Sequence, residues 1–253
     1  MVASAWGSAC RTNGQQASPP SQFNLLQQPL ASTNCRRRPV GPKLHAHPSS
    51  SCEPLTPTPV RKIEKTYADP LALIWLHAAA QMGIRIERSA EVNASWNGAG
   101  VLTIGTPETL DPDDSLAQMI LHEVCHALCE GPESLQKPDW GLDNFNPAKR
   151  VHEHACLRLQ AALADQVGLR AFFASTTMFR SYYDRLPADP LAAGDDPSIE
   201  MARAAWERAQ QGPWAAPLRE ALERTALIAR ALSGATTPDS LWHGEERPTA
   251  KEM

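Results

Sequence analysis

The run SLAQMILHEVCHALCEG, Ser115 to Gly131, constrains the fold more than any other stretch of the chain. It reads as one helix. Asp111-Pro112 supplies a start, Asp113 and Asp114 place negative charge where the helix dipole favours it, and Gly131-Pro132 supplies a stop. Met119, Ile120, Leu121, Val124, Ala127 and Leu128 make the helix apolar on both flanks of its centre, so neighbouring elements must bury it. Yet His122, Glu123 and His126 stand in the middle of that run. Buried polar groups are costly unless something satisfies them. The core around this helix must therefore be built to serve three polar side chains.

A metal ion would serve them. A helix turns about 100° per residue, which puts His122 and His126 about 40° apart on one face and one turn apart along the axis. Both imidazoles can then reach one ion. Glu123 is swung about 100° away from His122, beside the ion, where a carboxylate can take a proton from a metal-bound water. A catalytic site of this kind needs a third protein ligand and an open fourth position. The segment KRVHEHACLRLQAALADQ offers His152, Glu153 and His154. With Cys156 at the middle of the apolar face, His152 and Glu153 flank that face at about −40° and +60°, while His154 points towards solvent at about 160°. Glu153 is the preferred third ligand and His152 its alternative. Cys129 shares the histidine stripe and is a softer candidate, although thiols on core faces usually only pack. Asp139, Asp143 and Glu130 are candidates for carboxylates that orient the imidazoles. Trp140, in the loop PDWGLDNFN, is a candidate pocket wall, and Tyr182, Tyr183 and His243 are candidate transition-state stabilisers by residue type.

The rest of the chain supplies a frame. Residues 1–68 are rich in Ser, Pro, Gln and Asn and carry eight Lys/Arg against two Asp/Glu; with −4 overall, the remainder is about −10. Such a segment buries too little apolar surface to offset its ordering entropy, so we expect a disordered basic tail. Asp69-Pro70 opens an apolar helix ending near Gly83, with His77 a core histidine; IRIER and VLTIG alternate as strands, with a turn at Asn97-Gly98. Helices are expected at about 148–167, 169–185, 197–211 and 214–233. Residues 69–233 thus form a metal-binding α+β domain, with two or three strands on a mostly helical body, and 234–253 a second tail. No Cys-x-x-Cys pair occurs among the six cysteines and no apolar run spans a bilayer, so we expect a cytoplasmic protein without nucleic-acid or membrane partners. Oligomeric state is open.

Over roughly residues 84–165 the chain resembles the zincin-type metallopeptidases: a strand-bearing part, a helix carrying HEVCH, then a helix carrying Glu153. The glutamate branch of that group implies His122, His126 and Glu153 as zinc ligands and Glu123 as general base. The sequence around Glu153, VHEHACL, departs from the Asn-Glu and Glu-x-x-Asp signatures found there. The chain also resembles bacterial elongation factor P hydroxylase, in the motif with Gly131 behind it, in Asp139-Trp140-Gly141, in the helix from Glu153 to Leu163 and in QQGPWAAPLREALE. It departs there at Leu142-Asp143-Asn144. That resemblance implies Fe2+ on the same ligands, since two histidines and one carboxylate also form the facial triad of non-haem iron oxygenases, with Glu123 no longer a base. The expectation is a metal-dependent hydrolase: a zinc metallopeptidase with a zincin-like core, acting on a peptide or protein that could add as a strand beside VLTIG. The alternatives are an iron hydroxylase of a protein side chain and a non-enzymatic, metal-stabilised helical module.

Overall fold

Asp69 caps the first helix, α1 (Pro70–Gln81), by accepting a hydrogen bond from the Ala72 N–H at 2.7 Å, with proline in the first turn. Gly83, at φ +79°, then turns the chain so that the Ile84 N–H donates back to the Ala79 carbonyl. The computed structural model describes residues 62, 64–142, 149–174 and 176–243. Within them it is a mixed architecture of helices and one small sheet. Expectations for residues 1–61 and 244–253 lie outside the described residues.

After α1 come β1 (Arg85–Ser89), β2 (Ala94–Trp96) and β3 (Val101–Gly105). VLTIG is the interior strand: β3 pairs in parallel with β1 and antiparallel with β2, giving the order β1-β3-β2. Both its edges are taken, so no substrate strand can add to it. The Asn97 side chain accepts from the Ala99 and Val101 N–H groups and closes the turn between β2 and β3. Leu102 and Ile104 point into the core, beneath the helices.

The central helix, α2 (Leu116–Glu130), starts later than the Asp-Pro step suggests. Its cap is Ser115, in a reciprocal capping box with Gln118. Asp113 and Asp114 lie outside the helix and hold a distant part of the chain instead. Their carboxylates accept from the Thr176 hydroxyl at 3.2 Å and the Thr176 N–H at 2.8 Å. At the other end Arg208, from α5 (Ser198–Gln211), donates to the Leu128 carbonyl at 2.6 Å, so a cation meets the negative end of the dipole. Helix α3 (Lys149–Gln166) packs against both α2 and α5, and α6 (Ala215–Leu232) packs on α1, where the Trp75 indole donates to Thr225 at 3.0 Å.

The helix expected over 169–185 does not form; among the described residues only α4 (Arg180–Tyr183) is helical there. Aromatic and β-branched residues in AFFASTTMF are poor helix formers. The backbone carbonyls they would use are also claimed by side chains: Arg170 by the Tyr183 hydroxyl, Phe173 by the Gln160 amide, and Ala174 by Arg180. Beyond α6, residues 234–243, expected to begin a tail, fold back and stack Trp242 on Phe172 with ring centroids 4.3 Å apart.

A buried arginine ties α3 to the segment before α5. Arg158 donates to the Pro190 carbonyl, the Ser198 hydroxyl and Asp196. Burial opposes ionisation of Asp196, but hydrogen bonds from Ser198, Tyr182 and Arg158 outweigh it and hold the carboxyl well below its ordinary value. A depressed folded-state pKa contributes stability above the unfolded value of about 4 and loses it as pH falls towards the folded value. Asp196→Asn should therefore lower the melting temperature at neutral pH and show a flatter decline below pH about 4 than the parent protein. Parallel acid melts by circular dichroism that fall together would contradict this.

Candidate metal centre

The neighbours of α2 bring the expected polar residues to one place. His122, Glu123, His126 and Glu153 are at most 9% exposed, and all four line a cavity of about 290 Å³. The two imidazoles face each other with Nε2 atoms 3.1 Å apart and ring planes at 84°. Glu153 enters from α3, its Oε2 lying 3.6 Å from the Nε2 of His126 and 4.0 Å from that of His122. Lys149, one turn earlier, holds the other carboxylate oxygen at 3.6 Å.

Cysteine is part of the picture too. His122, His126 and Cys156 each offer a ligand atom within 4.8 Å of the others, all buried, and this group could hold a metal ion. Cys156 approaches His122 from behind: its sulfur is 3.6 Å from Nδ1 and 3.4 Å from the His122 carbonyl, to which the thiol donates. Burial pushes the Cys156 and Cys129 thiols well up from their ordinary value. Cys129 stands outside the group.

The His126 imidazole is incompletely satisfied by its protein neighbours. Burial, with the charges of His122, Lys149 and His152 adding to it, holds the His126 imidazole well below its ordinary value, so the ring is neutral. A neutral imidazole has one N–H and one lone pair. His126 Nδ1 is buried with no hydrogen-bond partner, and its Nε2 meets only another imidazole nitrogen and a carboxylate. Two ring nitrogens and a carboxylate oxygen that line one cavity, 3.1 to 4.0 Å from one another, fit a cation better than they fit each other.

Glu123 is positioned by a strained turn. Asp139, Trp140 and Gly141 follow one another with φ of 46°, 58° and 78°. Left-handed conformations in non-glycine residues cost about 1–3 kcal/mol each. The offsetting contacts come from β2: Asp139 Oδ1 accepts from the Ser95 hydroxyl at 3.0 Å and the Trp96 N–H at 3.1 Å, and Trp140 stacks on Trp96 at 4.4 Å. The turn thereby aims the Trp140 indole N–H at Glu123 Oε2, 2.8 Å away. Burial raises the Glu123 carboxyl above its ordinary value; the nearby His122 and the Trp140 hydrogen bond pull the other way. Trp140 is thus both the cavity wall and the anchor of the acid.

Other candidates are placed elsewhere. The His152 Nδ1 contacts Glu130 at 2.6 Å, so these two satisfy each other and neither serves the imidazoles of α2. Asp139 holds the turn and not a histidine, and Asp143 lies outside the described residues. His154 stacks on Tyr182 at 3.5 Å. Tyr182 donates to Asp196, Tyr183 to the Arg170 carbonyl, and His243 lines a different cavity, so none of the three reaches the centre. Sequence reasoning missed Gln160, whose Oε1 is 2.9 Å from His122 Nδ1. A signal was present: Gln160 follows Glu153 by seven residues, on the same helix face, between Leu159 and the apolar run Ala161-Ala162-Leu163. Thr176, Thr177, Asn93 and Ala94 complete the cavity wall and carry no such signal.

The chain matches no family model, no curated protein and no solved structure.

Proposed function

We propose that the protein is a metal-dependent hydrolase, a zincin-like metallopeptidase in which His122, His126 and Glu153 hold a divalent ion and Glu123 is the base. One observation carries this reading. Four-coordinate zinc with ligands at about 2.0–2.2 Å separates its ligand atoms by about 3.3–3.6 Å. The two Nε2 atoms and Glu153 Oε2 are 3.1, 3.6 and 4.0 Å apart before any ion draws them together. Zinc would part the two nitrogens slightly and close the His122–Glu153 separation by about half an ångström.

A bound ion of this class acts as a Lewis acid, acidifying water and polarising a carbonyl. The chain supplies the remainder. Trp140 occupies one oxygen of Glu123 and leaves Oε1 to accept the proton of the attacking water. As the new C–O bond forms and the amide C–N bond breaks, the same carboxyl returns that proton to the departing amine. Lys149 holds Glu153 Oε1 at 3.6 Å and so directs the other oxygen at the histidines. A peptide substrate is supported by the sheet: β2 is the edge strand nearest the centre, with Asn93 and Ala94 in the cavity wall. An extended chain would pair only at the Asn93–Ala94 end, because Asp139 occupies the outward N–H of Trp96.

The deciding experiment is elemental analysis of protein purified without a metal-chelating tag, alongside hydrolysis of a quenched fluorescent peptide library. Zinc near one equivalent with chelator-sensitive cleavage is expected. Iron near one equivalent with reductant-dependent oxygen uptake overturns this reading in favour of a hydroxylase on the same three donors. Chelation that melts the fold, with no cleavage of any library member, leaves only a structural ion.

A further inference from the structure

We propose that Gln160 is a positioning residue that fixes the tautomer of His122 and thereby makes Glu153, and not Cys156, the third ligand of the centre. This rests on reading the site as a metal centre and adds the selection of its donor set. The chain of contacts begins at Phe173. Its backbone carbonyl can only accept, and it accepts from the Gln160 amide nitrogen. The two ends of the Gln160 side chain are thereby told apart, and its carbonyl oxygen must be the atom facing His122 Nδ1 at 2.9 Å. Nδ1 must then carry the proton. In a neutral ring that leaves the lone pair on Nε2, which faces His126 and Glu153.

The two possible donor sets use opposite sides of the His122 ring. Glu153 lies on the Nε2 side, at 4.0 Å; Cys156 lies on the Nδ1 side, at 3.6 Å. An ion shared by His122 and the thiol through the nearer nitrogen would need Nδ1 without its proton and would displace Gln160. Gln160 is fully buried, and the Cys156 thiol already has an acceptor in the His122 carbonyl. The protein has closed the sulfur side and left the carboxylate side open. The irregular stretch before α4 makes this arrangement available, because in a continuous helix the Phe173 carbonyl would be taken by the backbone.

The test uses cobalt alone, with no substrate. Metal-free wild-type protein is titrated with Co2+ and followed in the ultraviolet and visible, with affinity set by a competing chelator. Binding without a thiolate-to-cobalt charge-transfer band is expected, and Gln160→Leu should bind about 10- to 100-fold more weakly, as loss of a ligand's hydrogen-bond partner does. A thiolate band in the wild type, or unchanged affinity in Gln160→Leu, overturns the assignment while leaving a metal centre. No uptake of Co2+ by the wild type overturns the metal centre itself. Should Gln160→Leu not fold, 15N spectra of the metal-free wild type decide: an Nδ1–H His122 supports the assignment, and an Nε2–H His122 overturns it.

Discussion

Glu123→Gln should bind one divalent ion as tightly as the parent protein and cleave peptides about 100- to 10,000-fold more slowly, the usual contribution of a positioned general base. The substitution is nearly free of side effects for a structural reason. The Trp140 indole N–H requires an acceptor and lies 2.8 Å from Oε2. In the glutamine variant the amide oxygen takes that hydrogen bond, and the NH₂ group falls where Oε1 stood. The packing survives, the hydrogen bond survives, and a group unable to accept a proton occupies the base's position. Metal stoichiometry and the peptide-library rate measure the two halves separately. Full activity in this variant would remove Glu123 from the chemistry and, with it, the hydrolase reading.

The second large effect separates the two donor sets. Glu153→Ala should weaken zinc binding by more than about 100-fold, beyond the 10- to 100-fold typical of residues that only support ligands. Cys156→Ala should leave the affinity within a few-fold while costing about 1 kcal/mol of stability through lost packing. Thermal melts read both. An ion that binds only the folded state adds about 2.7 kcal/mol at a hundred times its dissociation constant, so zinc should raise the melting temperature of the parent and of Cys156→Ala. Glu153→Ala should show no such rise. Without zinc it should melt lower than the parent, since Lys149 loses the carboxylate it pairs with, and it is the response to zinc that separates the two roles. If Cys156→Ala is the variant that loses its response, the thiol is the third ligand and Glu153 is not.

Much of the site was written into short-range pattern. The spacing of His122 and His126, the position of Glu123 one step along, and the placing of Glu153 on the flank of the next helix's apolar face all follow from helical geometry. The same geometry set His154 apart from the other two but aimed it at solvent, whereas it is half-buried and stacks on Tyr182. His152, the alternative ligand, could not be separated from Glu153 on that wheel. Its partner, Glu130, lies on another helix, and only packing α3 against α2 brings them to 2.6 Å. Asp-Pro at 111–112 resembled a helix start because Asp is a good cap. The capping box of Ser115 and Gln118 satisfies two N–H groups at once and wins, which frees Asp113 and Asp114 to hold Thr176.

Apolar periodicity and helix-end chemistry thus specify most of the helices, two of the three strands and the identity of the polar trio inside the core, because each depends on residues within a turn or two of one another. Contacts between residues far apart in the chain settle the remainder. Strand order places VLTIG inside the sheet, as β1 and β2 each find it a better partner than the other. The left-handed turn at Asp139–Gly141 exists because β2 supplies Ser95 and Trp96 to hold it. The Phe173 carbonyl, 13 residues from Gln160 and released from helix by the side chains around it, fixes which nitrogen of His122 is left to bind. Local backbone preferences amount to tenths of a kcal/mol per residue, and a buried, hydrogen-bonded polar group outweighs them.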